Sequence, residues 1–192
     1  SSGAVDYINT NSFGDYAVEK MEVETALYQT NLNYKIVRPS YIVGMGNHRP
    51  RLGYYISQLK DKKPISIDGD GDYPINLVFA DDVVIAGQYN QNDQHIYWKP
   101  KEWCLVRMVH DVNRTNKTYT IAGDESITIN ELIKFLKSQL KIKKHKVTNS
   151  KDSLFPNQSF EFNNTKVKSE YAIDFKDLKQ EIKKYIKDYN EL

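Results

Sequence analysis

The sequence predicts an α/β fold, and three observations carry this prediction. Residues 14–30 place apolar side chains among charged ones at helical spacing. Residues 34–39 form a short β-type run that Pro39 ends. Helical and strand patterns then alternate along the rest of the 192-residue chain, which is typical of an α/β protein.

The alternation continues after Pro39 in segments separated by turn residues. Residues 40–46 read as a loop, and the Asp/Gly-rich residues 68–72 read as a turn. The predicted strands after the first lie at 64–67, 75–80 and 118–122. The predicted helices after the first lie at 50–62, 83–89, 128–140 and 175–186.

Two of these helices have capping residues at their N-termini. Asp81 and Asp82 precede the helix at 83–89, where a carboxylate accepts hydrogen bonds from orphan backbone N–H groups and suits the helix dipole. Thr128 and Glu131 have the spacing of a capping box. We therefore expect helices to begin after Asp82 and at Thr128.

Composition and charge exclude several classes of function. The chain has 27 Lys and Arg against 25 Asp and Glu, a net charge of +2, so nothing demands a polyanionic partner. The single cysteine, Cys104, excludes an internal disulfide framework and a cysteine-based zinc site. No apolar run approaches the roughly 20 residues that a membrane span requires. We expect a cytoplasmic protein without a metal site or a membrane partner.

The strongest chemical signal is the pair Tyr16 and Lys20, with the hydroxyls of Ser1 and Ser2 upstream. Four residues apart on a helix, the two side chains of the pair project from the same face. An ammonium beside a phenol stabilises the phenolate and allows tyrosine to exchange a proton near working pH. The pair therefore indicates proton transfer, although the same spacing also occurs in ordinary exposed helical pairs.

Five segments together resemble the extended short-chain dehydrogenases/reductases, the NAD-dependent epimerase/dehydratase family. They stand in the order of that family's motifs and at about their spacing. The segments are SSGAV at 1–5, YAVEK at 16–20, IVRPSYIVG at 36–44, IDGDG at 67–71 and VFADDV at 78–83. The resemblance implies an oxidoreductase, epimerase or dehydratase that uses NAD or NADP and acts on a sugar nucleotide or a related small substrate.

The resemblance also implies an architecture and an assembly. We expect a partial Rossmann-type parallel sheet, made of its later strands, with a smaller C-terminal substrate-binding lobe. Residues 1–46 would be the C-terminal part of the dinucleotide-binding domain. Residues 47–192 would be mostly the lobe, with 75–90 returning to the dinucleotide-binding domain. Relatives in this family commonly form homodimers through the helix that here bears Tyr16.

Carried over by position, the resemblance assigns three catalytic residues. Ser2 would orient the substrate oxygen, and Tyr16 would be the acid/base. Lys20 would bind the nicotinamide ribose and stabilise the Tyr16 phenolate, so that both residues also belong to the cofactor contacts. Asp82 matches an aspartate that is mostly structural.

The remaining contacts divide into a cofactor side and a substrate side. The residues expected along the nicotinamide are Pro39, Ser40, Tyr41 and Ile42. The residues expected to contact the substrate are Tyr41, His48, Arg49 and Arg51. Arginine suits the substrate side because its fork of N–H donors matches a phosphate.

Three departures from the family pattern qualify these expectations. The Gly-rich pyrophosphate loop, which precedes the serine strand in the family, is absent, so we expect the chain to be a fragment. Tyr41 stands where sugar-nucleotide epimerases usually have Asn, and residues 74–76 read Pro-Ile-Asn where Arg-Asp is usual. Residues 91–114 form an insertion that is either a lid or interface patch or an idiosyncratic stretch.

Two alternatives stay open. Residues 38–51 look more like the branch that includes chloroplast stem-loop RNA-binding proteins, which favours a dehydrogenase scaffold that binds RNA without catalysis. RNA is a partner only under this alternative, and the net charge of +2 gives it little support. The second alternative is an inactive, truncated product.

Overall fold

The computed structural model describes residues 10–47, 50–83, 108 and 111–191, with side chains described from Tyr16 onward. Several sequence predictions fall outside these residues. They concern Ser2, His48, Arg49, residues 84–89 and nearly all of residues 91–110. Met108 is the one described residue between 84 and 110, and its side chain is buried.

Helices and strands alternate along the described residues, which confirms the predicted α/β class. The helices are α1 (Thr10–Tyr28), α2 (Arg51–Lys60), α3 (Ala80–Val83), α4 (Ile129–Gln139), α5 (Thr165–Tyr171) and α6 (Leu178–Asn190). The strands are β1 (Lys35–Pro39), β2 (Tyr41–Val43), β3 (Ile65–Ile67), β4 (Pro74–Phe79), β5 (Lys117–Ile121), β6 (Ser126–Thr128) and β7 (Val147–Asn149). None of these described helices is long and apolar enough to cross a membrane.

Most of the described strand pairing is parallel. β1 pairs with β5 in parallel, with Val37 opposite Tyr119. β2 pairs with β4 in parallel, with Ile42 opposite Val78, and β6 joins β4 in the antiparallel sense. β3 and β7 form a separate two-stranded parallel sheet. The carboxyl ends of β1 and β5 therefore lie at one edge, as do the carboxyl ends of β2 and β4.

Two clusters of buried apolar side chains hold these elements together, and removal of such surface from water is the main driving force of folding. The larger cluster packs α2, α4 and α6 against β2, β3 and β4. Its fully buried members include Tyr55, Ile56, Leu132 and Ile182. The smaller cluster surrounds β5 and includes Val78, Tyr119, Ile121, Val167 and Tyr171.

Elements with a strong local signal lie where the sequence predicted them. The capping box is present, because Thr128 Oγ1 accepts a hydrogen bond from Glu131 N and the Glu131 carboxylate accepts one from Thr128 N. Gly69 and Gly71 have positive φ angles of 71° and 77° in the predicted turn at 68–72. Only glycine adopts such angles without steric cost.

The predicted loop at 40–46 is wrong in part, because it contains the strand Tyr41–Val43. The sequence after Pro39 reads as a break, yet only Ser40 separates this strand from β1. The Ser40 backbone N donates to Ile121 O at 2.8 Å. The strand exists because β4, a distant partner in sequence, supplies its hydrogen bonds.

Two helix starts also differ from the prediction. The helix expected after Asp82 begins at Ala80, so Asp81 and Asp82 lie inside its first turn. Carboxylates in the first turn still interact favourably with the helix dipole. The C-terminal helix begins at Leu178, where the carboxylate of the preceding Asp177 caps it, rather than at residue 175.

Three short elements were not predicted at all: β6, β7 and α5. Each strand has three residues, which is too short to display an alternating pattern. The helix has only seven residues. Their existence depends on tertiary partners, such as β3 for β7 and β4 for β6.

Asn76 in β4 is buried, with 4% of its surface exposed, and it joins three parts of the chain. Its Nδ2 donates to the carbonyl oxygens of Gly123 and Glu125, each at 3.2 Å. Its Oδ1 accepts from Phe162 N at 2.7 Å, and its backbone N donates to Phe160 O at 2.8 Å. Because a buried amide without partners costs free energy, these bonds fix both segments on β4.

We expect Asn76→Asp to lower the free energy of unfolding by about 3 kcal/mol at pH 7. The change keeps the side-chain size but removes both N–H donors and turns a carboxylate towards two carbonyl oxygens. Urea denaturation followed by circular dichroism measures the effect. Asn31→Asp, at an exposed position, is the control and should change stability by less than about 0.5 kcal/mol. Equal stability of the two variants would contradict this account.

Candidate functional site

Tyr16 and Lys20 lie one turn apart on the same face of α1. The Lys20 Nζ is 5.4 Å from the centroid of the Tyr16 ring, within the range of a cation–π contact. Both side chains are exposed, that of Tyr16 by 67%. A phenol and an ammonium are therefore adjacent and accessible to a ligand.

The segment after β1 carries the predicted cofactor contacts. Pro39 ends β1, Ser40 follows it, and Tyr41 and Ile42 begin β2. The Ser40 Oγ is buried and has no hydrogen-bond partner within the described part of the chain. Buried hydroxyls normally have a hydrogen-bond partner, so this one is an exception that a water molecule or a ligand would satisfy. This segment therefore offers a hydroxyl at the carboxyl end of a parallel strand.

An ion pair joins the helix of Tyr16 to this segment. Arg38 donates through Nε to Glu24 Oε1 at 2.9 Å, and through Nη2 to Glu24 Oε2. The Arg38 side chain is 19% exposed and the Glu24 side chain is 12% exposed. Glu24 lies one turn after Lys20, and Arg38 directly precedes Pro39. The pair therefore connects the two parts of the chain that carry the predicted cofactor contacts.

Tyr41 and Arg51, both predicted to contact substrate, lie together. The guanidinium carbon of Arg51 is 4.8 Å from the centroid of the Tyr41 ring and 5.6 Å from that of Phe155. Tyr41 in turn packs edge-on against Phe155 and Phe160, at centroid distances of 4.9 and 5.2 Å. Aromatic rings thus hold a cation near the start of α2.

Tyr41 is not a suitable acid/base. Burial raises the pKa of Tyr41 to about 12, although the positive charge of Arg51 acts in the opposite direction. Its hydroxyl stays protonated at neutral pH and can form hydrogen bonds there but cannot accept a proton as a phenolate. The candidate for proton transfer in this part of the structure remains Tyr16.

Phe155 and Phe160 are site residues that sequence reasoning missed. They lie far along the chain from Tyr41, and Phe160 is held beside β4 by the hydrogen bond from its N to Pro74 O at 2.9 Å. No local pattern marks either residue. Glu24 did carry a signal, since it follows Lys20 by four residues on a predicted helix.

The other predicted site residues lie outside the part of the chain that the structure describes. These are Ser2, His48 and Arg49. Of the predicted set, the structure therefore brings together Tyr16 with Lys20, and Tyr41 with Arg51. Across the described ranges, no group of three His, Cys, Asp or Glu side chains is placed to hold a metal ion.

Asp82, matched to a structural aspartate, is buried in α3 with 7% of its surface exposed. Burial raises the pKa of Asp82 to about 6, although Lys176, 3.8 Å away, favours the charged form. Its neighbour Asp81 is exposed and pairs with Lys184 of α6 at 3.0 Å. The hydrogen bond from Lys184 holds the pKa of Asp81 below its usual value. These contacts join α3 to α6, which is a structural role.

Comparison with known proteins places this fold. No family model and no curated protein matches the sequence, whereas many solved structures match the structure. DesIV, a dTDP-glucose 4,6-dehydratase of Streptomyces venezuelae solved with NAD, has a TM-score of 0.70 at 20% identity, over 92% of this chain and 51% of that chain. The UDP-glucuronic acid 4-epimerase of Bacillus cereus, in complex with UDP-glucuronic acid and NAD, has a TM-score of 0.66 at 20% identity. This match covers 92% of this chain and 52% of that chain.

A third neighbour gives the same result. The dTDP-glucose 4,6-dehydratase of Bacillus anthracis, in complex with NAD, has a TM-score of 0.69 at 16% identity, over 93% of this chain and 52% of that chain. The chain has the α/β, parallel-sheet fold of Rossmann-type epimerases and dehydratases, which confirms the predicted fold class. It spans about half the length of these neighbours.

We expect the stability contributed by Asp82 to fall as pH rises. Its raised pKa means that, between about pH 4 and 6, the native state holds a proton that the unfolded chain has lost. The free energy of unfolding of the wild type, measured relative to Asp82→Asn, should therefore fall by about 2 to 3 kcal/mol from pH 4 to pH 7. Urea denaturation of both proteins at pH 4 and at pH 7 gives the difference in their free energies of unfolding at each pH.

Asp81→Asn is the matched control for this experiment. Because the Asp81 pKa is lowered, its contribution is present at neutral pH and is lost on acidification, so its trend should be opposite. If the difference in the free energy of unfolding between wild type and Asp82→Asn did not change with pH, Asp82 would not be a buried carboxyl that stays protonated at low pH.

Proposed function

We propose that this chain is part of an NAD-dependent oxidoreductase, epimerase or dehydratase that acts on a sugar nucleotide or a related small substrate. The observation that carries the proposal is the contact between the Lys20 ammonium and the Tyr16 ring, at 5.4 Å, on a helix tied to β1. The fold neighbours support the reaction class, since their names are those of dTDP-glucose dehydratases and a UDP-glucuronic acid epimerase. Because those neighbours bind NAD, we propose NAD rather than NADP.

In this proposal, residues of this chain bind the substrate and transfer the proton. Ser2 holds the substrate oxygen, and Tyr16 takes the proton from the substrate hydroxyl as that carbon is oxidised. Lys20 stabilises the phenolate form of Tyr16 and binds a ribose hydroxyl. When the carbonyl is reduced again, Tyr16 returns the proton. NAD, when bound, supplies the acceptor for the hydride.

The described residues fit such a cofactor. Lys20 offers an exposed ammonium for ribose hydroxyls, and Ser40 offers a buried hydroxyl without a partner in the described chain. Pro39 directly precedes Ser40, and Ile42 lies two residues after it in β2. Polar groups at the carboxyl end of a parallel strand are where α/β folds bind their ligands.

The substrate side of the proposal depends on Arg51. Its guanidinium carbon lies near the rings of Tyr41 and Phe155, and its Nε donates to Leu154 O at 3.4 Å. A planar fork of donors matches the oxygens of a phosphate, as in the diphosphate of a sugar nucleotide. His48 and Arg49 join this side of the site by their positions in the sequence.

The two apolar clusters support the proposed domains. Val78 and Val83, from the segment 75–90, belong to the smaller cluster around β5, which also packs against Val37 and Ile42. The alternate apolar residues of β4 belong to the larger cluster, so the segment packs with both clusters, and only its contacts with β1 and β5 support a return to the dinucleotide-binding domain. The larger cluster supports a separate lobe built from α2, α4 and α6.

We expect Tyr16→Phe to lower kcat by about 10² to 10⁴-fold in the full-length protein, because the acid/base is removed. NAD binding should stay within a few-fold of wild type. Product chromatography with dTDP- and UDP-sugars measures turnover, and fluorescence titration measures the dissociation constant of NAD.

Tyr189→Phe, at a half-buried position on α6, is the control and should turn over like the wild type. Wild-type turnover by Tyr16→Phe would refute the proposed mechanism. If the wild-type protein bound RNA with a steep salt dependence and did not bind NAD, the RNA-binding alternative would replace the enzyme.

We also propose that the protein forms a homodimer through α1. Besides Tyr16, which the proposed site presents to a ligand, the helix exposes Val18, Val23 and Tyr28. Val23→Asp places a charge in that surface and should raise the dimer dissociation constant at least about tenfold, because an unpaired charge is costly to bury. Light scattering at several concentrations measures this, with Lys134→Asp on α4 as the control. A wild-type protein that is monomeric at all concentrations would contradict the proposal.

A further inference from the structure

The proposed site has two parts on different elements. Tyr16 and Lys20 belong to α1, whereas the segment 39–42 runs from the last residue of β1 into β2. Proton transfer requires groups to stand within hydrogen-bond reach of the same ligand atoms. Whatever fixes α1 against β1 therefore fixes the geometry of the site.

From Tyr16 to Tyr28, where the side chains of α1 are described, the helix has little apolar packing. No residue between positions 16 and 28 is fully buried. The half-buried positions are Ala17, Met21, Glu24 and Leu27, which form one inward stripe at helical spacing. Small or partly exposed apolar side chains bury little surface and specify the rotation of a helix poorly. Glu24 is the charged member of this stripe.

Glu24 supplies the directional contact that the apolar residues lack. Its two carboxylate oxygens accept from Nε and Nη2 of Arg38, and Oε2 also accepts from the Tyr28 hydroxyl at 3.1 Å. A bidentate pair of arginine and carboxylate has a defined plane and direction, unlike an apolar contact. Arg38 itself is fixed in β1, opposite Thr120 of β5.

We propose that Glu24 and Arg38 are positioning residues that set the rotation and axial position of α1, and so hold Tyr16 and Lys20 in place relative to the segment 39–42. As a statement about catalysis, this inference rests on the proposed function. A helical side chain lies about 5 Å from the helix axis, so rotation of α1 by about 20° moves Tyr16 sideways by about 2 Å. Misplacement of a reacting group by about 1 Å can cost about 10²-fold in rate.

The test uses two single variants and one control. Glu24→Gln keeps the side-chain shape but removes the charge, and Arg38→Lys keeps the charge but cannot form the bidentate pair. Glu22→Gln removes a charge from the exposed face of the same helix. The full-length proteins are compared by kcat, KM, the dissociation constant of NAD, melting temperature and amide hydrogen exchange across residues 16–24.

We expect both single variants to lower kcat by about 10- to 100-fold, with a smaller change in KM. Amides in residues 16–24 should exchange faster in both variants and at the wild-type rate in Glu22→Gln. The double variant should lose little more than either single one, because the two side chains act through one contact. A purely structural pair would lower the melting temperature and leave kcat of the folded protein unchanged, and that result overturns the inference.

Failure of the proposed function gives a different pattern. If the wild-type protein neither binds NAD nor turns over sugar nucleotides, the proposed activity is wrong, and hydrogen exchange alone decides the role of the pair. Faster exchange across residues 16–24 in Glu24→Gln and Arg38→Lys, with none in Glu22→Gln, supports positioning of α1 by the pair. Unchanged exchange in these variants overturns it.

Discussion

The hydrogen bonds of the buried Asn76 amide are the constraint on which most of the described structure depends. Its backbone N holds Phe160 beside β4, from where the Phe160 ring reaches Tyr41 at 5.2 Å. Its side chain holds Gly123 after β5. A Cβ at Gly123 would lie 2.4 Å from Leu77 O, so only glycine permits this approach. Asn76 therefore connects the chain that leaves β5, through its side chain, with the aromatic cluster at the start of β2, through its backbone.

The elements around this constraint are held by two different kinds of force. The helices α2, α4 and α6 bury apolar side chains such as Leu59, Leu136 and Ile182, whose exclusion from water does not depend on exact orientation. From Tyr16 onward α1 has no fully buried residue, and its directional contact with β1 is the pair of Glu24 and Arg38. The proposed site requires Tyr16 and Lys20 to stay accessible to a ligand, so these two side chains contribute no apolar burial.

The sequence predicts what local patterns encode and misses what distant contacts create. The capping box at Thr128 and the pairing of Tyr16 with Lys20 depend on spacings of three and four residues, and both are present. β2 and the neighbours of Tyr41 arise from pairing between segments far apart in the chain, and no local pattern reports such pairing. The four resembling segments that lie in described residues follow the order of α1, β1, β2, β3, β4 and α3, which no single segment could indicate.

The surroundings of Tyr41 account for a tyrosine where sugar-nucleotide epimerases usually have asparagine. An asparagine at this position would present an amide, whereas the Tyr41 ring fills space between Phe155 and Phe160 and supports the Arg51 guanidinium at 4.8 Å. Because burial also keeps its hydroxyl protonated, Tyr41 contributes shape and a surface for a cation rather than a charge. In the proposed site, an aromatic ring beside an arginine stands where the family pattern has a hydrogen-bonding amide, and phosphate oxygens match an arginine better than an uncharged sugar does.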